Sequence, residues 1–186
     1  SAALASEELE VAVLDFAALR RENQDLWALG AVLGPDAPRR WRPSLRRLVL
    51  RGACLSADDD LAVLVGGGDG DGDGDHGPRL ASLGLFAPHL ADGSWAEVLE
   101  MLRGRADPRR RRGTGTGATT PLELEALTSP TGGEADAMTA AQYDAVFSQP
   151  RGWALYEAQL SGEPALSAAV RYVSHLQDEN PVRAVV

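Results

Sequence analysis

The sequence predicts an α/β fold arranged as a short solenoid. Parallel strands, each followed by a helix, stack in a right-handed βα superhelix that a C-terminal helical cap closes. Three observations carry this expectation. The segments "PSLRRLVLRGACLSADDDLAVLV" and "PRLASLGLFAPHLADGSWAEVLEML", aligned from Pro43 and Pro78, superimpose their leucines: Leu45, Leu48, Leu50 and Leu55 fall on Leu80, Leu83, Leu85 and Leu90. Each leucine run is followed by a helix-start signal, "SADD" at Ser56 to Asp59 and "SWAE" at Ser94 to Glu97, where a serine oxygen and an acidic side chain three residues on satisfy the first free N–H groups of a helix. Three long irregular stretches all fall between one unit's helix and the next unit's strand.

The shared pattern L-x-x-L-x-L-x-x-x-x-L has the spacing of leucine-rich repeats, in which a strand, a turn and a helix recur. Alternation around Leu48–Leu50 and Leu83–Leu85 sends successive leucines to one face of a strand. In the first unit, "VAVLDFAAL" places Val11, Leu14 and Phe16 on the same frame, and Leu26, Leu29, Val32 and Leu33 share one helical face closed by Gly34-Pro35. The third unit continues into a helix with Trp95, Val98, Leu99 and Leu102 at helical spacing, and Gly104 offers its end. In the fourth, Leu124 and Leu127 enter the frame and Ser129 takes the third leucine position. Thr139 and Gln142 then form a capping box, with Met138 poised to staple against Tyr143. The fourth-position leucines, Leu14, Leu48, Leu83 and Leu127, are 34, 35 and 44 residues apart. From Trp153 the chain reads helical. Leu166, Ala169, Val170, Val173 and Leu176 form a stripe with a stop at Asn180-Pro181. One domain therefore spans 1–186, with repeats at about 9–42, 43–77, 78–120 and 121–150 and the cap at 151–186.

Composition bounds the function. A chain of 186 residues with 44% hydrophobic content supports one real core. A net charge of −9 argues against nucleic acid as a partner. No apolar run approaches the roughly 18 residues that span a bilayer, so no membrane partner is expected. No charged start leads into an apolar signal segment, and Cys54 stands alone, so an intracellular location, cytoplasmic or nuclear, is expected. Lysine and isoleucine are absent and asparagine occurs only at 23 and 180. All three have AT-leaning codons, so a GC-rich gene accounts for the bias.

The low-complexity loop "GGGDGDGDGDHGP", Gly66 to Pro78, tests as a calcium loop. Asp69, Asp71, Asp73 and Gly74 satisfy the first half of an EF-hand, but position 12 is Leu80 instead of a bidentate glutamate. No metal site and no cofactor are expected. The run "PRRRR" with Arg103 and Arg105 reads as a solvated basic loop, a localisation signal or an anion patch. "GTGTGATT" lacks the Lys-Ser/Thr ending of a phosphate loop.

Catalysis finds little support. His76, His89 and His175 lie in separate contexts, no H-E-x-x-H or G-x-S-x-G occurs, and Cys54 follows a strand with no histidine expected beside it. Glu123 and Glu125 alternate with leucines and read as a solvated strand face. The alignment instead forms rows on the exposed face of the strands: Val13, Arg47, Ser82 and Ala126; then Asp15, Val49, Gly84 and Thr128; then Ala17, Arg51, Phe86 and Pro130. Asp15, Arg47, Arg51 and an exposed Phe86 are the candidate partner-binding residues, since arginine and aromatic side chains dominate interface hot spots.

The repeats "PSLRRLVLRGACLSADD" and "PRLASLGLFAPHLADGSWAEVLEMLRG", and above all the tryptophan of the "WAEVLEMLRG" helix, resemble the irregular leucine-rich region of fungal F-box-type proteins over about residues 9–150. The resemblance implies the substrate-recognition part of a ubiquitin-ligase subunit, which reaches a Skp1-type adaptor only through an F-box outside this chain. Ala53 and Pro88 occupy the positions where the repeat's asparagine or cysteine is usual. Two classes stay open on the residues alone: a non-enzymatic protein-interaction module, or a compact α/β enzyme or weak divalent-metal-binding domain.

Overall fold

The computed structural model describes residues 8–16, 29, 41, 44–65, 80–107, 121–147 and 167–183. They form a mixed α/β fold with two open parallel sheets. The first holds β1 (Val11–Asp15), β2 (Arg47–Arg51), β4 (Ser82–Phe86) and β6 (Glu123–Thr128) in the order β1-β2-β4-β6. The second holds the two-residue strands β3 (Cys54–Leu55), β5 (His89–Leu90) and β7 (Thr131–Gly132) in the order β3-β5-β7. Every pairing is parallel. The helices are α1 (Ala62–Val65), α2 (Trp95–Ala106), α3 (Ala140–Phe147) and α4 (Ala168–Val173).

One unit recurs three times: a strand, a left-handed residue, a two-residue strand, then a helical turn. The left-handed positions are Gly52 (φ 67°), Ala87 (φ 46°) and Ser129 (φ 48°). Positive φ reverses the pleat, so the chain leaves the first sheet and enters the second within two residues. The turns continue the ladder, since Gly52 N–H donates to the Phe86 carbonyl at 2.8 Å and Ala87 N–H to that of Thr128 at 2.6 Å. In the second sheet His89 N–H donates to the Ala53 carbonyl and Thr131 N–H to that of Pro88, both at 2.8 Å.

The leucine alignment gives the β2–β4 register as expected: Leu48 lies on Leu83 and Leu50 on Leu85. The outer units differ. Leu14 pairs with Leu50, and Ala12 with Leu48, so the first unit's frame is Leu9-x-x-Ala12-x-Leu14, two residues earlier than the sequence suggests. In β6, Leu124 lies on Leu83 and Leu127 on Leu85, with a register shift between Leu83 and Gly84. Glu125 is the extra residue, a bulge that converts L-x-L into L-x-x-L and makes Ser129 the left-handed turn residue instead of the third leucine. Leu48, Leu50, Leu83, Leu85, Leu124 and Leu127 are all buried, in one core with Trp95, Val98, Leu99 and Leu102 of α2 and Val146 and Phe147 of α3.

The serine half of both predicted capping boxes forms. Ser56 Oγ accepts from Asp59 N–H at 3.0 Å and Ser94 Oγ from Glu97 N–H at 3.3 Å. After Ser56 the chain makes one wide turn over Ala57–Leu61, closed by Leu61 N–H on the Ser56 carbonyl. That five-residue spacing explains why Asp60, one position beyond Asp59, is the carboxylate that returns to Ser56 N–H, at 3.0 Å. A carboxylate of the following unit adds to each helix start. Asp92 accepts from Ser56 Oγ (3.1 Å) and Ala57 N–H (2.8 Å), and Glu134 accepts from Trp95 N–H (2.7 Å). Negative charge there answers both the free N–H groups and the helix dipole. Thr139 and Gln142 make the expected reciprocal box at 3.0 and 3.3 Å.

Two helix ends depart from the sequence expectation. α2 runs through Gly104 to Ala106, because the restricted backbone of Asp107 before Pro108 stops it instead. α4 ends at Val173, short of Asn180-Pro181. His175 takes φ 57°, and its N–H donates to the Tyr172 carbonyl while Leu176 N–H donates to that of Arg171, the paired bonds of a Schellman stop. Leu176 therefore leaves the stripe and is exposed. Asn180 is buried, donating to the Ala96 carbonyl at 3.0 Å and accepting from Val182 N–H at 3.1 Å. The first unit's helix apart from buried Leu29, the Asp-Gly loop, Arg109 to Arg112 and the segment from Trp153 to Leu166 lie outside the described residues.

Candidate partner-binding face

The face of the first sheet opposite the leucines carries the alternate residues of each strand, Arg47, Val49 and Arg51 on β2 and Ser82, Gly84 and Phe86 on β4. The observed rows are Val11, Arg47, Ser82 and Glu123; then Val13, Val49, Gly84 and Ala126; then Asp15, Arg51, Phe86 and Thr128. The Arg47–Ser82, Val49–Gly84 and Arg51–Phe86 neighbours are as predicted. The partners from β1 move by two positions and those from β6 by two or, across the bulge, three, for the frame shift and bulge given above. The correction brings Asp15 beside Arg51, where the sequence had placed it beside Val49.

Arg47 is the end of a bidentate ion pair. Its Nε and Nη2 donate to the two Glu125 oxygens at 2.8 and 2.9 Å, and Ser82 Oγ donates to Glu125 Oε1. The hydrogen bond from Arg47 is the chief cause holding the Glu125 carboxyl below its ordinary range, and Glu125 raises Arg47 in turn. Glu125 is thus no solvated strand carboxylate. The bulge carries it over Ser82 to a partner 78 residues away. Glu123 remains exposed.

Phe86 is half-buried, not exposed. A Cβ on Gly84 would stand 3.4 Å from Phe86 Cε2 and 3.4 Å from a Val49 methyl, so the ring lies down over the space that Gly84 leaves. Arg51 is exposed and its guanidinium carbon sits 5.0 Å above the Phe86 ring centre, within cation–π range. Val49 and Ala126 are buried between these two assemblies, while Val11 and Val13 on β1 are 53% and 59% exposed.

The second sheet holds a juxtaposition the sequence reading missed. Cys54 and His89 are register partners, and Thr131 follows His89 on β7. His89 Nδ1 lies 3.0 Å from Thr131 Oγ1. The signal was present, because the alignment that superimposes Leu55 on Leu90 also superimposes Cys54 on His89. The chemistry is muted: burial, then the Asp60 and Asp92 charges, push the Cys54 thiol up. A thiol held protonated is a poor nucleophile. Asp60 is itself pushed up, chiefly by burial.

Arg103 and Arg105 serve the fold, not an anion patch. Arg105 is buried and its Nε donates to the Val65 carbonyl. Arg103 lies 4.3 Å over the Tyr172 ring, donates to the Tyr172 and Gln177 carbonyls and pairs with Asp178 at 3.3 Å. Burial and the neighbouring Glu100 push the Tyr172 phenol up to about 12. Among the described residues, no group of three or more His, Cys, Asp or Glu is placed to hold a metal ion. No helix among them is long and apolar enough to cross a membrane. Comparison with protein-family models, curated proteins and solved structures finds no match to this chain.

Proposed function

We propose that the chain is a non-catalytic protein-interaction module, a short leucine-rich-repeat-like solenoid that engages its partner through the exposed strand face. The observation that carries this reading is the row Asp15, Arg51, Phe86 and Thr128 of a parallel sheet, in which the guanidinium of an exposed arginine sits over an aromatic ring. Rigid arginine–aromatic pairs are the side chains interfaces draw on most. The recurring unit supports the solenoid: three left-handed turns at equivalent positions and two ladders that advance together.

The resemblance to fungal F-box-type proteins extends the proposal to the substrate-recognition part of a ubiquitin ligase at work inside the cell. Co-purification of the full-length gene product with a Skp1-type adaptor tests that extension. Stoichiometric adaptor is the expected result; no adaptor together with no F-box in the full gene product refutes the ligase role and leaves the interaction module standing. The module itself is tested by partner capture with Thr128→Arg, on the exposed face, against Arg171→Glu, on the exposed side of α4. Capture that falls with Arg171→Glu and survives Thr128→Arg overturns the choice of face.

A further inference from the structure

The exposed face carries Arg47 and Arg51, Arg46 lies just before β2, and the three charges are not equally satisfied. Arg46 stands 3.8 Å from Glu10. Arg47 is held by both oxygens of Glu125. No ion pair joins Arg51 to a carboxylate of the described residues, although Asp15 is its register neighbour on β1. Arg51 turns toward β4 and lies over Phe86.

This stacking matters for recognition. A guanidinium has five N–H donors in the plane of the group. A cation–π contact to a ring restrains the group without using any donor. Among the described residues no hydrogen bond uses the Arg51 side chain, so its fork of donors is left for a planar bidentate acceptor. Next to it, Val11 and Val13 are the most exposed valines of the described residues. Adjacent strands are about 4.8 Å apart and alternate residues about 6.6 Å, so Val13 lies about 8 Å from Arg51 across one strand. That is within reach of neighbouring side chains of one extended segment.

We propose that this corner of the face captures an extended, acidic–aliphatic segment of a partner protein: one carboxylate forks onto Arg51 while an aliphatic neighbour covers Val11 and Val13. The chain's own charge narrows the ligand further. At a net charge of −9, a segment dense in carboxylates is repelled over the whole approach, so the segment carries one or two acids set among aliphatic residues. A basic segment would meet Glu123 but leave the Arg51 fork without an acceptor. The inference rests on the reading of this face as an interaction surface.

The test is selection of phage-displayed random 12-mer peptides on the full chain, followed by fluorescence-polarisation binding of the most enriched peptide. Enriched peptides are expected to place Asp or Glu beside Val, Leu or Ile. Changing that acid to its amide, or Arg51→Ala, weakens binding about tenfold or more, as loss of a charge-assisted bidentate pair does. The two changes together weaken it no further than either alone. Arg51→Lys keeps the charge, loses the fork and stays weak, while Arg46→Ala binds as the parent does. Urea unfolding of Arg51→Ala confirms that the variant is folded. If binding falls with Val13→Asp but ignores Arg51→Ala and the amide peptide, the carboxylate inference is overturned and the face reading survives. If no peptide is enriched, or binding ignores Val13→Asp and Arg51→Ala alike, both fall. A dimer in sedimentation that Val13→Asp abolishes would place a second copy on this corner and overturn the proposal.

Discussion

Trp95 ties three parts of the molecule together, and Trp95→Phe measures how tightly. The side chain is fully buried. Its indole N–H donates to the Thr131 carbonyl of the second sheet at 3.3 Å, and its ring meets Phe147 of α3 edge-on, with centroids 6.1 Å apart and planes at 64°. Phenylalanine removes roughly 40 Å³ of side chain, and an unrelaxed cavity costs about 24 cal/mol per Å³, or about 1 kcal/mol. The Thr131 carbonyl loses its indole donor in a partly buried site, which costs about 1 kcal/mol more. Part of the edge-on contact, a pairing of about 0.5–1.5 kcal/mol, is kept because a six-membered ring remains. The expected loss is therefore about 2 kcal/mol. In urea unfolding followed by far-UV circular dichroism, the midpoint should fall with the slope unchanged, and Tm should drop by about 4–8 °C for a chain of this size. A loss below about 0.5 kcal/mol would mean that the indole bond and the filled volume contribute nothing, and the account of Trp95 as the tie between α2, the second sheet and α3 would be wrong. A changed slope would show that the native state had loosened as a whole.

Three further outcomes follow from the same geometry. Asp92→Ala deprives Ala57 N–H and Ser56 Oγ of their shared acceptor and should cost about 1 kcal/mol in denaturant unfolding, whereas Asp92→Asn, which keeps an acceptor oxygen, should cost only a few tenths. Asp60→Asn should stabilise at neutral pH, because burial raises the Asp60 carboxyl in the fold; a raised acid favours folding below its ordinary pKa and opposes it as pH rises through the folded value, so the gain in Tm should vanish when both proteins are melted near pH 3.5, and a gain that persists there refutes the assignment. Ala87→Gly should raise stability by about 0.5–1 kcal/mol, since φ 46° is costly for a residue with a Cβ, and an unchanged urea midpoint would show that the turn carries no strain.

The two central units were legible because their leucines repeat without interruption, and burial on one face enforces the register that repetition suggests. Leu48 on Leu83 and Leu50 on Leu85 could be read directly. The first unit was misaligned because Ala12 stands where its neighbours have leucine; Leu14 then attracts the alignment to the wrong slot. The fourth was misaligned because a bulge has no signature in a hydrophobic pattern: L-E-A-L reads as a spacing of three wherever it occurs. Only the pairing of Glu125 with Arg47 and Ser82 gives the inserted residue a reason to be acidic. The helix starts were legible from Ser56, Ser94 and Thr139, which act locally. Their second carboxylates, Asp92 and Glu134, were not, because each belongs to the following unit and is found only once the units are stacked.

The candidate face shows the same division between what alternation reveals and what contact decides. Alternation correctly sends Arg47, Arg51 and Phe86 to the side away from the leucines. It says nothing of how three such side chains share that side. Gly84 decides it: without a Cβ, the middle of β4 leaves a gap into which the Phe86 ring lies down, and the lowered ring becomes a platform for Arg51. A side chain larger than alanine at Gly84 would lift the ring and remove the platform, although every residue named as a binding candidate would be unchanged. The glycine that looks like a weak point in the strand pattern is thus what separates the two arginines of β2. Arg47 is neutralised by a bulge two strands away. Arg51 sits over the Phe86 ring, and among the described residues no hydrogen bond or ion pair takes up its donors.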